Sequence, residues 1–291
     1  MKLTKEFQKR KNRAFSGRDF LYEKYLPFRD LLNRTVRPYL IPLHRKLRGR
    51  LEEQKTGWQN EYCDGYFYQG YERIGINGVK PTVQRLKNYS IHDLLNETQS
   101  ILDIGSNCGF FAIHVASLVR EVDAIDINPY LNKIGEDTAR FLGTKNVRFN
   151  TADFSSFEAK KRYDAVFSLS NHHTIDGKLN MGFLRYSEKI FNLLKPGGFL
   201  FFESHNVWGD GYLGPGDDSD LDKKFEICGQ FFEIIKHKMV HSFYPVDIDK
   251  LFVVFRRRQV QDPMFKTNFD LITARENYDY TIVNQLSNSL P

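Results

Sequence analysis

The chain has 291 residues, 41% of them hydrophobic, enough for one large domain with an appendage and a buried core. No run approaches the roughly 18 apolar residues of a membrane-spanning helix. Three scattered cysteines, Cys63, Cys108 and Cys228, have the spacing of neither a disulfide framework nor a zinc site.

The net charge of +6 conceals an asymmetry: residues 1–55 hold 16 Lys or Arg against six acids, a local balance of +10 that leaves −4 for the remainder. Such a basic end suits a phosphate-bearing partner, whether RNA, a lipid headgroup or a nucleotide sugar; it equally suits a solvated helical face. The opening MKLTKEFQKRKNR has no apolar stretch behind it, so it does not read as a secretory signal. Together with reduced thiols this points to a cytoplasmic protein.

Residues 1–55 read as helical but interrupted, because Pro27, Pro38 and Pro42 each remove a backbone donor. Between them Leu31, Leu32, Val36, Tyr39, Leu40 and Ile41 give a partly amphipathic pattern. Residues 56–97 are irregular and rich in Tyr and Gly, with a short helix expected from Pro81 to Tyr89. The cluster Tyr62, Tyr66, Phe67, Tyr68 and Tyr71 suits either a cover over a site or packing of the N-terminal piece.

From residue 100 strands alternate with helices. Strands are expected at Ser100–Ile104, Val122–Ile125, Val147–Asn150, Ala165–Leu169 and Phe199–Glu203, and helices at Phe110–Leu118, Pro129–Phe141 and Leu184–Leu193. This alternation implies a parallel sheet covered on both faces. After a helix near Leu221–Gly229, two apolar strands, Phe232–His241 and Lys250–Arg256, form a hairpin-like pair joined near Pro245. The organisation read is a helical and irregular N-terminal extension over 1–97, an α/β domain over 98–258, and a tail over 259–291.

The chemistry concentrates at the strand ends. In Leu102-Asp103-Ile104-Gly105-Ser106-Asn107-Cys108-Gly109-Phe110-Phe111 an apolar strand runs into a turn with two glycines and then a helix, the place where a doubly wound sheet binds nucleotides. Asp103 can accept from an ammonium group. About twenty residues later a strand ends in Asp126-Ile127-Asn128, where such folds place the carboxylate that holds ribose hydroxyls. Gly105-x-x-x-Gly109 lacks the G-x-G-x-x-G spacing that seats a pyrophosphate, which argues against a dinucleotide. Asp153 and Phe154 follow the third strand and suit an adenine amino group and ring. Ser168 to His173 form the fourth strand's exit, including Ser170.

These motifs, with Leu194-Lys195-Pro196-Gly197-Gly198 before the fifth strand, resemble class I S-adenosylmethionine-dependent methyltransferases over roughly residues 98–257. The resemblance implies a Rossmann-like, seven-stranded, mostly parallel sheet with an antiparallel last strand. It also implies S-adenosyl-L-methionine as cofactor: Asp103, Gly105, Ser106, Asn107, Gly109 and Phe110 around the methionine, Asp126 and Ile127 at the ribose, Asp153 and Phe154 at the adenine, and Ser170 nearby. Many relatives carry Cys where Ser106 stands. The lead-in Gly78–Leu86 is similar to that of a subset containing the enzyme that modifies wobble uridine in tRNA with a carboxylated cofactor. Lys80 and Arg85 are the basic residues that would meet such a carboxylate.

For a hydroxyl acceptor the enzyme must align the groups and remove a proton. The candidates are His172 and His173 after the fourth strand, and Glu203 with His205 after the fifth. Glu203 and His205 share a face in strand geometry, as base and orienting carboxylate would. A divalent metal on these groups is not required by any spacing. The glycine-rich loop Trp208–Asp218 reads as a lid, an acceptor-binding element or a plain surface excursion. A small-molecule or glycan-like acceptor is the leading expectation, with RNA gripped by the basic N-terminus and a non-catalytic cofactor-binding protein as the alternatives.

Overall fold

The computed structural model describes residues 25–58, 67–172, 181–204, 221–243 and 247–265. Helices α1 (Leu26–Val36) and α2 (Ile41–Gly57) flank a 3-10 turn over Pro38–Leu40. Pro27 and Pro42 lie in the first turns of their helices and Pro38 opens the 3-10 turn, so these prolines start elements at positions where the lost N–H has no intrahelical partner. Two short parallel strands follow, β1 (Gln69–Gly70) and β2 (Lys80–Pro81), then helix α3 (Thr82–Tyr89). Buried Asp30 ties α1 to this segment by accepting from the Asn77 N–H at 2.7 Å and from Arg48 at 2.7 Å.

The alternating part contains β3 (Ser100–Ile104), α4 (Phe110–Val115), β4 (Glu121–Asp126), α5 (Pro129–Leu142), β5 (Val147–Thr151), β6 (Tyr163–Leu169), α6 (Phe183–Leu193), β7 (Leu194–Glu203), α7 (Leu221–Phe231), β8 (Phe232–Phe243) and β9 (Asp247–Arg257). The sheet order is β5-β4-β3-β6-β7-β9-β8. The first five strands pair in parallel, and β9 runs antiparallel between β7 and β8. The mixed α/β fold with an antiparallel last strand is therefore as expected. The order reverses at β3, which places the exits of β3 and β6 side by side, the crevice where such sheets bind ligands.

Local sequence explains the joints. Asn128 caps α5 by accepting from the N–H groups of Tyr130 and Leu131, Pro129 follows it, and Gly143 closes the helix in the left-handed region at φ 69°. The α4 helix stops at Val115, short of the expected Leu118, in a turn where the Ser117 hydroxyl donates to the His114 carbonyl at 2.7 Å.

Every residue of β3 is buried and the two sides of the strand enter different cores. Leu102 and Ile104 pack with Tyr186, Ile190 and Phe225 of α6 and α7. Ile101 packs with Leu86 and Tyr89 of α3 and Phe111 of α4. A third cluster joins Leu43, Leu47 and Leu51 of α2, with Phe67 and Tyr71, to Phe110, Ile113 and Ile134. Helix α2 thus shares a core with the sheet's own helices. Among the described residues no helix is long and apolar enough to cross a membrane.

Candidate functional site

The turn between β3 and α4 is held in a shape that ordinary side chains disfavour. Gly105, Asn107 and Gly109 take φ of 65°, 53° and 68°, alternate residues in the left-handed region. A Cβ on Gly105 would come 2.8 Å from the Asn171 amide nitrogen. A Cβ on Gly109 would come 2.2 Å from the Phe149 ring, so this glycine is required by packing against β5 as much as by any ligand.

Three side chains fasten the turn. Asp126 accepts from the Asn107 N–H at 2.8 Å and the Asn128 N–H at 2.9 Å, one on each carboxylate oxygen. Burial nonetheless lifts its carboxyl above the ordinary range, against the pull of those two N–H groups. Asn171 donates to the Ile104 carbonyl and accepts from the Ser168 hydroxyl at 2.8 Å. Gln69 donates to the Ser106 carbonyl at 3.1 Å and accepts from the Phe110 N–H at 3.1 Å. Gln69 lies in a segment without periodicity, and nothing in the sequence marks it.

Two polar atoms of the turn have no such use. Asp103 Oδ2 and Ser106 Oγ are buried and have no hydrogen-bond partner among the described residues. Burial pushes the Asp103 carboxyl up to about 7; Arg85 opposes the shift and Asp126 adds to it. The unsatisfied Asp103 oxygen fits the ammonium of an amino-acid-like ligand, and the Ser106 hydroxyl can donate to its carboxylate. Ile127 is half exposed next to Asp126 and is free to border a ribose. Asp153 receives the Ser155 N–H at 2.7 Å. Phe154 is buried, edge-on to Tyr186 at 5.4 Å with the Lys189 ammonium 5.2 Å over its ring, so much of its surface is committed to the core. Phe110 is likewise buried, its ring 5.8 Å from that of Tyr71.

At the end of β7, Glu203 is fully buried within a group of cations. Its Oε1 accepts from Lys80 at 2.7 Å and from Arg85 at 2.9 Å, and Lys250 stands 3.9 Å away. The Tyr89 and Ser170 hydroxyls also donate to this carboxylate. Burial alone would raise the Glu203 carboxyl, yet Arg85, Lys80 and Lys250 hold it well below the usual range. Such a carboxylate keeps its charge and orders cations; it is a poor proton acceptor at neutral pH. Ser170, at φ 60°, belongs to the same group, accepting from Lys250 at 2.7 Å.

His172 is fully buried, its ring 4.8 Å from Phe202 and 5.8 Å from Phe183. His173, His205 and the loop Trp208–Asp218 lie outside the described residues. Among the described residues no group of three or more His, Cys, Asp or Glu is placed to hold a metal ion.

Residues 101–198, which contain the turn, Asp126, Asp153 and the β6 exit, match the family described as a methyltransferase domain. Those residues carry a methyltransferase domain. A curated relative, malonyl-[acyl-carrier protein] O-methyltransferase 2 of Ilyobacter polytropus, is 27% identical over 111 residues. That match takes in 37% of this chain and 40% of the relative, so the chain spans well under half the length of the curated protein it matches. The S-adenosyl-L-homocysteine complex of N-methyltransferase NodS from Bradyrhizobium japonicum WM9 superposes with a TM-score of 0.51 at 17% identity, covering 72% of this chain and 98% of that one. A second structure of NodS from the same organism gives 0.49 at 18% identity over 60% of this chain and 94% of its own. At 17% identity the S-adenosyl-L-homocysteine complex speaks for the fold alone.

Proposed function

We propose that this protein transfers a methyl group from S-adenosyl-L-methionine to an oxygen of a small or glycan-like acceptor. The observation that carries the reading is a pair of buried atoms, Asp103 Oδ2 and Ser106 Oγ, without a hydrogen-bond partner among the described residues, at the turn of a methyltransferase domain. In this reading residues 98–258 form the catalytic domain, residues 1–97 its cap and residues 259–291 a tail, in a cytoplasmic protein.

The cofactor supplies an activated methyl group and its own leaving group. The chain's task is alignment and removal of the acceptor's proton. Asp103 holds the ammonium, and the Gly105–Gly109 turn lies along the methionine. Asp126 takes the ribose hydroxyls with the oxygen lone pairs that Asn107 and Asn128 leave over, bordered by Ile127. Asp153 meets the adenine amino group. His172, His173 and His205 are the candidate bases, and Glu203 orders the cations bonded to it. The O-methyltransferase relative supports an oxygen acceptor.

RNA as acceptor has less support. Lys46 and Arg50 are drawn to Asp137 and Arg48 to Asp30, so part of the basic segment is engaged within the chain.

Transfer of label from tritiated S-adenosylmethionine to fractionated metabolites, glycans and RNA tests the reading, with Asp126→Ala as control. Label is expected in a small-molecule or glycan fraction and absent with the variant. Label confined to RNA, and lost on raising the salt, would overturn the acceptor class. Unchanged cofactor binding by Asp126→Ala would overturn the binding site.

A further inference from the structure

Helix α1 is mounted with its polar side against the protein. Asp30 is buried and accepts from Arg48 and from the Asn77 N–H, each at 2.7 Å. Asn33 donates to the Gly75 carbonyl at 2.9 Å, and Arg37 at the helix end donates to the Glu72 carbonyl at 3.3 Å. What these polar anchors leave outside is apolar. Phe28, Leu31, Leu32 and Val36 are exposed by 56%, 51%, 48% and 81%. At 3.6 residues per turn their spacing keeps them on one side of the helix. Tyr39 and Ile41 follow within five residues and are exposed as well. Six of the eleven large hydrophobics exposed among the described residues thus lie between positions 28 and 41, a clustering that marks an interaction surface. A helix facing only water has the opposite arrangement, with its apolar side turned inward.

The charges around this face are of one sign. Arg29 and Arg34 fall on its two borders in the same helical geometry, and Arg37 and Arg45 follow. From 25 to 45 the one carboxylate is Asp30, buried and paired with Arg48. Farther along α2, Glu52 and Glu53 pair with Lys55 and Arg50. Glu72 spends both carboxylate oxygens on the N–H groups of Val83 and Gln84. An apolar row edged by arginines complements a surface that is apolar within and anionic at its rim, as a bilayer leaflet containing anionic lipid is. The rival occupants fit less well. A second copy presenting the same face in a two-fold pair would bring the arginine borders together. Residues 1–24 carry eight Lys or Arg against three acids, so the same arginines repel them. RNA would engage the arginines and leave the aliphatic row in water.

We propose that α1 docks on an anionic membrane surface, with Phe28, Leu31, Leu32 and Val36 entering the leaflet between arginines that bind the lipid headgroups. The stems of Arg29 and Arg34 follow the apolar row while their guanidinium groups stay at headgroup level. The helix lies along the surface and does not cross it: its 11 residues span about 17 Å, against about 30 Å of hydrocarbon. This surface stands on α1 and its borders, independently of the methyl-transfer reading.

The full-length protein is sedimented with phosphatidylcholine vesicles and, in a second arm, with vesicles in which about a third of the lipid is phosphatidylserine, at low and high salt. Binding should be confined to the phosphatidylserine arm and fall by about tenfold or more at high salt. Leu32→Glu combined with Val36→Glu should weaken it by about tenfold or more while leaving affinity for S-adenosyl-L-homocysteine within about twofold. If that pair fails to fold, Val36→Trp alone should gain emission that brominated lipid quenches; no added quenching over the unaltered protein overturns the docking. So does absence of binding to phosphatidylserine vesicles at low salt, or equal binding to both vesicle types. Vesicle or RNA binding indifferent to the double variant also overturns it, because the basic segment alone would then carry the contact. A dimer that becomes monomeric in the double variant, with no vesicle binding by either, assigns the face to a second copy. Vesicle binding that persists where S-adenosyl-L-homocysteine fails to bind refutes the methyl-transfer reading and leaves the membrane surface standing.

Discussion

Lys80 and Glu203 meet at 2.7 Å across 123 residues of chain, both buried, in a pair that ties the lead-in segment to the end of β7. The two partners are not equivalent. Removing the ammonium leaves Glu203 with Arg85 and Lys250, whereas removing the carboxylate charge leaves several buried cations facing one another. Glu203→Gln is therefore expected to cost about 3–5 kcal/mol, and Lys80→Met clearly less. Urea denaturation of both variants checks the order; equal losses would mean that Arg85 and Lys250 do not sustain the carboxylate.

The Asp103 carboxyl, lifted to about 7, makes a prediction about pH. Below pH 4 it is protonated in both folded and unfolded chains and contributes no difference. Between about 4 and 7 the unfolded chain releases a proton that the folded one retains, so stability falls as pH rises; above 7 the loss is complete. The full loss is about 4 kcal/mol, since each pH unit between the two ionisation points is worth roughly 1.4 kcal/mol. Asp103→Asn should remove this slope and be the more stable protein at pH 8. The difference between the two stability profiles across pH 4–8 isolates the effect, and parallel profiles would count against a buried, unpaired Asp103.

The same residue governs the ligand. Its ionised form is the one that receives an ammonium, so affinity for S-adenosyl-L-methionine should rise with pH up to about 7, approaching tenfold per pH unit well below that point. Calorimetry should show proton release on binding near neutrality. Asp103→Asn should bind more weakly and lose that release, an outcome opposite in sign to its gain in stability.

Gly109 is expected to tolerate alanine poorly for a reason unrelated to the ligand. The new Cβ meets Phe149 at 2.2 Å and the residue must keep φ at 68°. The steric share should be recovered by pairing Gly109→Ala with Phe149→Ala, leaving a conformational cost of about 1–2 kcal/mol. A double-mutant cycle in thermal unfolding measures the coupling, and strict additivity would place the clash elsewhere.

Gln69 bridges Ser106 and Phe110 with its one amide, so Gln69→Glu keeps an acceptor but loses the donor to the Ser106 carbonyl. Weaker cofactor affinity by about tenfold is expected, with the fold retained, as for loss of one buried hydrogen bond at a positioned turn. Titration with S-adenosyl-L-homocysteine reads it directly; unchanged affinity would show that the turn holds its shape without the clamp.

The alternating domain is legible in the sequence because each βα unit announces itself locally. Ile101, Leu102 and Ile104 form an apolar run, the glycines of the turn sit at fixed offsets, and Asn128-Pro129 begins a helix by rules that need no distant partner. The acids Asp103 and Asp126 stand out because strand ends are visible in sequence. What local pattern does not reveal is anything set by long-range packing. Lys80, Tyr89 and Lys250 come to Glu203 from segments whose own patterns say nothing of it, and Gln69 reaches the turn from an irregular stretch. Strand alternation alone pairs Glu203 with His205; the structure shows Glu203 occupied by cations, which alternation cannot reveal.

The separation between Lys80 and Glu203 also sets an order of events during synthesis. At roughly 5–20 residues per second, about 6 to 25 seconds pass between the emergence of the lysine and that of its carboxylate. Through that interval α3 carries Lys80 and Arg85 with no buried counter-charge available, so they remain in water and the helix cannot settle onto the sheet. The cation group around Glu203 is then among the last parts of the molecule to exist, formed only when β7 arrives and Lys250 follows it.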